Sequence, residues 1–461
     1  MEKGYYSFKY EDKYFCLSLS LGITIEITEA LFNILEKYKK GIELLNEEQQ
    51  IINNLYESGI LEDIKIEIEE EKLKTAYLSF APIYGCNFRC EYCFGKYGEN
   101  YRGEEKKFSD ERLEQSLNYF FYQAYPNANQ YRIDFVSGGE PLLGIETIKK
   151  TIDYSKKFSK ENNKKVNIWI CTNGSLLNEE ICMYLSDNNV AIGVSIDGSQ
   201  EKHDNKRKDI FGKGTYERIT NNIQKLLKNN NLEKKFKDIW GLATASNENC
   251  DFVEIIKEYK KIGIKNAQIR LVRDGSSYDV TKIRREYEKL AQFLLAKFRE
   301  EDLDFFYMII NENDQFGKIL KRLILNQLHI RRCYAGCNKI TICPDGSIYP
   351  CDSFVGKENY KIGDIKSKEN FQGKFYDIDV LNNEICSHCD IKYICGGDCY
   401  YNSLLKTGKE TQPDAEFCEI QHIIIKLNIK LKYDMQQYDE ELYRKLEKGL
   451  ILKDGYSKRF G

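Results

Sequence analysis

The chain has almost no charge imbalance: 69 basic and 72 acidic residues leave a formal net charge of −3 over 461 residues. The basic residues are spread along the chain, so nothing asks for a polyanion, and no nucleic-acid partner is expected. No uninterrupted apolar run approaches the ~20 residues of a membrane span, so no membrane partner is expected either. The opening Met1-Glu2-Lys3-Gly4-Tyr5 lacks the apolar core of a secretion signal, and the expected compartment is cytoplasmic. Histidine is scarce. His203, His329, His388 and His422 are the four, and they are scattered, so no general base or other catalytic residue can be named. There is no internal repeat.

Cysteine is plentiful, at 16. In a reducing compartment, clustered cysteine suggests metal binding before disulfides. Cys16, Cys171, Cys182 and Cys250 stand alone and read as small buried hydrophobes. Cys171 differs in ending a predicted strand near the site. The other twelve fall into two fields. The first is Tyr84-Gly85-Cys86-Asn87-Phe88-Arg89-Cys90-Glu91-Tyr92-Cys93-Phe94-Gly95, a C-x3-C-x2-C spacing with no nearby fourth thiol. A closed zinc site normally takes four protein ligands. Three thiolates on a four-iron cluster leave one iron open to hold something else.

This spacing, with an aromatic before the last cysteine, resembles the radical S-adenosylmethionine (radical SAM) enzymes. The resemblance implies an open iron that binds the amino and carboxylate groups of SAM. It implies reductive cleavage to a 5′-deoxyadenosyl radical that removes a hydrogen atom from substrate. It also implies an external electron donor of the flavodoxin or ferredoxin type. The competing reading is a zinc knuckle.

Periodicity divides the chain. In residues 1–72, strand-like Tyr6 to Phe8, Tyr14 to Leu19 and Ile23 to Ile27 precede a helix that Thr28 would cap and a second helix from Glu47 to Ser58. At this length the pattern suggests a winged-helix-like module. The charged run Glu67 to Lys74 reads as a linker. From 76 to 300, strands at Tyr77 to Ile83, Arg132 to Val136, Val166 to Cys171, Val190 to Ile196, Ile239 to Thr244 and Ala267 to Val272 alternate with helices. That predicts an α/β fold, a partial (β/α)6 barrel with its site at the C-terminal strand ends. Residues 301–332 read as a helical linker, 333–420 as a cysteine-rich domain and 421–461 as a helical tail.

The predicted strand ends carry the candidate SAM contacts. Gly138-Gly139-Glu140-Pro141 is a small-residue turn where backbone can approach a ligand closely. In radical SAM enzymes this motif hydrogen-bonds the SAM amino group, and the aromatic at Tyr92 packs near the adenine. Thr172, Asn173 and Ser195 are short polar groups suited to ribose hydroxyls or the carboxylate, or to local turn hydrogen bonds. Arg207 and Arg218 are candidates for the carboxylate, with a solvated helix face as the alternative for each. Asp197 either caps the turn at Gly198 or contacts ligand.

The second field runs C-x12-G-x4-C through Cys333, Gly346 and Cys351, then C-x2-C-x5-C-x3-C through Cys386, Cys389, Cys395 and Cys399, then Cys418. It resembles the SPASM domain, which carries two auxiliary [4Fe–4S] clusters, giving three [4Fe–4S] clusters in all. By that resemblance Cys386, Cys389, Cys395 and Cys418 hold one auxiliary cluster, and Cys333, Cys351 and Cys399 the other. Its fourth ligand stays open between Cys337, Cys343 and a free iron site. Pro344-Asp345-Gly346-Ser347 reads as a turn between strands Ile340 to Cys343 and Ile348 to Cys351, which puts Cys343 at the turn and favours Cys337.

Strands and helices before such a core resemble the peptide-recognition element of enzymes that mature ribosomally made peptides, which grip a leader as an added strand. Cys90 to Phe94 and Pro350-Cys351-Asp352-Ser353-Phe354-Val355-Gly356 resemble maturases of cysteine-rich (SCIFF-type) peptides. Val136-Ser137 stands where an aromatic often precedes the glycines. The resemblance implies a precursor peptide whose leader binds residues 1–72, and an intramolecular crosslink, above all Cys sulfur to carbon. Its rival is sulfatase-maturase-like oxidation of a Cys or Ser in a protein. A non-catalytic metal-bearing binding protein is the third reading.

Overall fold

The computed structural model describes residues 4–64, 75–136, 138–228, 239–367, 373 and 375–460, with 454–460 by backbone alone. The linker reading for Glu67 to Lys74, and Ser137, lie outside the described residues. Among the described residues no helix is long and apolar enough to cross a membrane.

Strands β1 (Tyr5–Tyr10), β2 (Lys13–Ser18) and β3 (Thr24–Ile27) form an antiparallel sheet in that order. The Thr28 hydroxyl caps helix Glu29–Lys39 by accepting from Leu31 N at 3.2 Å. A second helix spans Asn46–Glu57. Strand alternation gives this sheet two apolar faces. Tyr5 and Cys16 pack with Leu35 and Ile52 of the two helices. Tyr6, Phe8, Phe15 and Leu17 face the main core. There Phe15 meets Tyr433 edge-on at 5.4 Å, and buried Lys432 donates to Gly22 O at 2.6 Å. The unit is therefore sandwiched and cannot swing free.

Six parallel strands follow in chain order: β4 (Thr75–Phe80), β5 (Gln130–Phe135), β6 (Lys165–Thr172), β7 (Ala191–Ser195), β8 (Ile239–Ala245) and β9 (Asn266–Leu271). Helices return the chain between most of them. The odd-even pattern is unusual. A parallel strand covered on both faces normally reads as a continuous apolar run. Here Leu78, Ile133, Phe135, Ile170, Ile192 and Ala243 are buried against helices. The alternate positions are Tyr77, Arg132, Asp134, Trp169, Cys171, Trp240 and Arg270, which line a polar and aromatic interior.

The cysteine-rich segment does not stand apart from this sheet. Strand β10 (Lys339–Ile342) pairs in parallel with β4, Lys339 opposite Tyr77, and β11 (Ser347–Tyr349) and β12 (Gly363–Asp364) continue antiparallel beyond it. The supposed linker 301–332 is also core, with Phe306, Phe316 and Leu320 almost fully buried. The helical tail begins earlier than 421. Asp414 caps helix Ala415–Tyr438 by accepting from Phe417 N, so Cys418 sits in its first turn.

Candidate radical site

The loop after β4 carries Cys86, Cys90 and Cys93, all half-buried. Phe88, between the first two thiols, is fully buried and anchors the loop in the core. Backbone N–H groups point at the sulfurs: Phe88 N to Cys86 Sγ and Tyr97 N to Cys93 Sγ, each at 3.4 Å. Asn173 Nδ2 lies 3.9 Å from Cys86 Sγ. Burial pushes the Cys86 thiol up to about 12, and the neighbouring thiols add to this. Such a thiol stays protonated in neutral water unless a metal centre deprotonates it. Adjacent thiols with N–H donors aimed at them suit a cluster's ligands.

The glycine turn is stitched onto this loop. Gly139 bridges Gly85, and Glu140 N donates to Gly85 O at 2.9 Å. A Cβ on Gly139 would lie 1.9 Å from Gly85 O, so no other residue fits. The Glu140 side chain is engaged by the protein's own donors. It is buried and accepts from Thr172 Oγ1 at 2.6 Å, Asn173 N at 2.7 Å and Leu142 N at 3.0 Å. Burial raises its carboxyl to about 7 despite those donors. Glu140 thus pins the loops after β5 and β6 together. Thr172 serves it, and the Asn173 amide joins Asn87 and Ser175.

Tyr92, Asp197 and Arg207 form a second buried unit beside Cys90. Asp197 accepts from Arg207 Nε at 2.8 Å, Arg207 Nη2 at 3.1 Å, Thr244 N at 2.9 Å and the Tyr92 hydroxyl. The Arg207 guanidinium lies over the Tyr92 ring at 5.3 Å. Burial raises the Cys90 thiol while Arg207 lowers it. Fully buried His203 accepts from Asp197 N at 3.3 Å through Nδ1, which leaves the ring proton on Nε2, facing Thr215 Oγ1 at 3.0 Å. These residues hold one another, and Arg207 is buried in an ion pair with Asp197 and not on a solvated helix face. Arg218 is half-exposed and faces Asp209 on the outside. Ser195, at the end of β7, is half-buried and has no side-chain hydrogen bond among the described residues.

The interior below this rim holds residues that motif reading missed. The chain's two tryptophans, Trp169 and Trp240, meet edge-to-face at 5.5 Å. Gly193 makes the room, since a Cβ there would lie 2.8 Å from Trp169. Trp169 Nε1 donates to Cys171 Sγ at 2.8 Å, so Cys171 is no mere apolar filler. Arg132 pairs with Asp134 at 2.6 Å. Half-buried Asp352, next to Cys351, lies 3.4 Å from Ser79 Oγ on β4 and 3.4 Å from Lys339 Nζ. The signal available was the polar side chain at every second strand position.

The second cysteine field separates spatially into two sets. Cys386, Cys389, Cys395 and Cys418 lie close enough that charging one opposes charging the others. A cavity lined by Cys386, Gly396, Gly397 and Asp398 adjoins them. Cys399 stands in the same relation to Cys333 and Cys351, and Cys333 to Cys337. Cys343 is fully buried with its sulfur 3.4 Å from the Tyr84 hydroxyl, in the apolar cluster against which Cys333, Cys351 and Cys399 also pack. His388 is exposed, and it is His422 whose Nε2 lies 3.8 Å from Cys389 Sγ. The two sets touch through residues that precede a thiol in each. Arg332 lies over Phe417 at 4.7 Å. Among the described residues no three Cys, His, Asp or Glu side chains converge on one point.

This sheet, its three-thiol loop and the stitched glycine turn define a radical SAM enzyme, a class that binds SAM and a [4Fe–4S] cluster. The Radical SAM superfamily profile matches residues 80–240. The chain is 30% identical over 373 residues to the cysteine-type anaerobic sulfatase-maturating enzyme of Clostridium novyi (strain NT), covering 76% of this chain and 94% of that one. It is 28% identical over 372 residues to the serine-type enzyme of Bacteroides thetaiotaomicron, covering 72% and 84%. It superposes on native anSMEcpe with bound AdoMet and Cp18Cys peptide with a TM-score of 0.59 at 20% identity, over 82% and 99% of the chains. The chain belongs to the anaerobic sulfatase-maturating enzyme family. Of the two catalytic readings, side-chain oxidation therefore fits better than crosslinking.

Proposed function

We propose that this chain oxidises a cysteine or serine side chain in a protein or peptide. The observation that carries this is the match to a cysteine-type maturase over 94% of its length. SAM bound at a [4Fe–4S] cluster on Cys86, Cys90 and Cys93 would supply a carbon radical by one-electron cleavage.

The chain's own residues do the rest. Glu140 and the Asp197–Arg207 pair hold the loops rigid, while Ser195 and the Gly138–Gly139 backbone meet the ligand. Trp169, Trp240 and the Arg132–Asp134 pair form the floor on which substrate rests. The substrate loses a hydrogen atom from Cβ, a proton from sulfur or oxygen, and one electron, leaving C=S or C=O; water then converts C=S to the aldehyde C=O with release of hydrogen sulfide. Asp352 is placed to take the proton, since it is a half-buried carboxylate facing the sheet interior. Cys333, Cys351 and Cys399, with Cys337, would hold the cluster that takes the electron. Cys386, Cys389, Cys395 and Cys418 would hold a third.

The test is anaerobic turnover of a peptide with one cysteine, followed by mass spectrometry with an aldehyde-trapping reagent. An aldehyde-reactive product supports oxidation. Loss of a hydrogen pair with no aldehyde would refute it in favour of a thioether crosslink. Asp352→Asn should still cleave SAM yet form little product.

Crosslinking of a leader-bearing peptide keeps one supporting observation. About a quarter of this chain lies outside the Clostridium novyi match, and the three-stranded unit ends against the second thiol set through the Lys39–Asp390 ion pair. Deleting residues 1–72 would not separate the readings, because Phe15 and Gly22 pack on the 415–438 helix.

A further inference from the structure

An electron must reach the Cys86–Cys93 loop from outside the chain. The outer side of that loop is covered by residues 206–214. Arg89 N donates to Lys208 O at 2.7 Å and Glu91 N to Lys206 O at 3.0 Å, and Phe88 bridges Asp209. The covering segment is a stiff hairpin. Lys208 bridges Gly214, and the Asp209 carboxylate accepts from Phe211 N at 2.9 Å and Lys213 N at 3.0 Å.

Its tip is apolar and in water. Phe211 is 78% exposed, more than any other large apolar side chain described, and Ile210 is 51% exposed. Four exposed cations surround it: Arg89, Lys208, Lys213 and Arg218. Of the nearby acids, buried Asp209 is committed to the turn and to Arg218, Glu91 and Glu248 to Lys206, and half-buried Asp204 to the N–H groups of Thr215 and Tyr216. Exposed Glu217 has no ion-pair partner among the described residues. The local charge is thus positive in a chain whose net charge is −3. A rigidly held aromatic in solvent, ringed by one sign of charge, marks an interaction surface. Transient electron-transfer contacts are small, and complementary charge sets their encounter rate.

We propose that Arg89, Lys208, Ile210, Phe211, Lys213 and Arg218 dock the external reductant, a small acidic protein with a flavin or iron–sulfur centre at its surface. The hairpin lies directly on the cluster loop, so a donor seated there is separated from the thiols by one backbone layer. One electron leaves the donor and one enters the cluster. This rests on the proposed function, which supplies the need for that electron.

The experiment uses the full chain reconstituted with iron and sulfide. Phe211→Ser and the Lys208→Glu/Lys213→Glu pair are compared with the parent for 5′-deoxyadenosine formation. Dithionite drives one arm and a reduced acidic flavodoxin the other, at low and moderate salt. The dithionite rates should match the parent. The flavodoxin rates should fall by roughly tenfold or more for the charge pair at low salt, as lost steering predicts. Parent flavodoxin rates should also fall as salt rises. Equal losses in both arms, or none in either, would overturn the proposal, as would a loss confined to the KM of the peptide substrate. A parent inert even with dithionite would sink the radical reading itself, and the docking site with it.

Discussion

Asp197→Asn tests how the cluster loop is held. The Asp197 carboxylate is fully buried and takes two bonds from Arg207, one from Thr244 N and one from Tyr92. Burial by itself would raise its carboxyl, but the Arg207 charge and hydrogen bonds hold it below the usual carboxylate range. Asparagine keeps the shape and removes the charge. Arg207, 8% exposed, is then a buried cation without its countercharge. Breaking one side of such a pair costs about 3–5 kcal/mol. At about 1.4 kcal/mol per tenfold, that lowers the population of the intact loop by roughly a hundredfold or more. The assay is anaerobic urea unfolding together with iron content after reconstitution. Arg207→Met should cost a similar amount. The double variant should cost less than the two singles summed, by about 2 kcal/mol, because it removes both charges together. Additive costs, or an Asp197→Asn penalty within about 1 kcal/mol, would refute this account of the loop.

Cys343→Ala should keep the parent's full iron content, while Cys337→Ala should lose iron, both by colorimetric assay. His203 should make the chain acid-sensitive. Its ring is held down from 6.5 to about 4, first by burial, so it is neutral at pH 7 whether folded or unfolded. As pH falls below 6.5 the unfolded chain takes the proton first, and stability drops by about 3 kcal/mol by pH 4. Unfolding midpoints from pH 7 to 4 should show that loss, with a shallower slope in His203→Gln. If the second cysteine field holds the proposed auxiliary clusters, Arg332→Gln should load iron normally yet make them harder to reduce in an EPR-monitored titration, since a nearby cation favours the reduced, more negative state.

Much of the fold was legible because parallel strands and their helices leave strong local periodicity. The six strands fell within a few residues of their predicted spans. The polar lining was visible in Arg132, Asp134 and Arg270 yet went unread, since alternation in a parallel sheet has meaning only once the sheet is known to enclose something. The site was legible as motifs and less so as roles. Glu140 takes a hydrogen bond from Thr172 and Asp197 one from Arg207, contacts the motifs did not announce. Side-chain pairing across strand ends depends on which loops meet, and spacing along the chain does not report that.

From the sequence alone came the three-thiol loop, the glycine turn and the seven ordered cysteines of the second field, because ligand identity and short-range backbone freedom are local properties. The tertiary structure alone decided the rest. It turned the 333–420 segment into an extension of the barrel sheet and set Asp352 and Lys339 against β4. It buried Cys343 under Tyr84. It exposed Phe211 over the cluster loop. Each joins residues far apart in the chain, and such contacts follow from how complete faces pack.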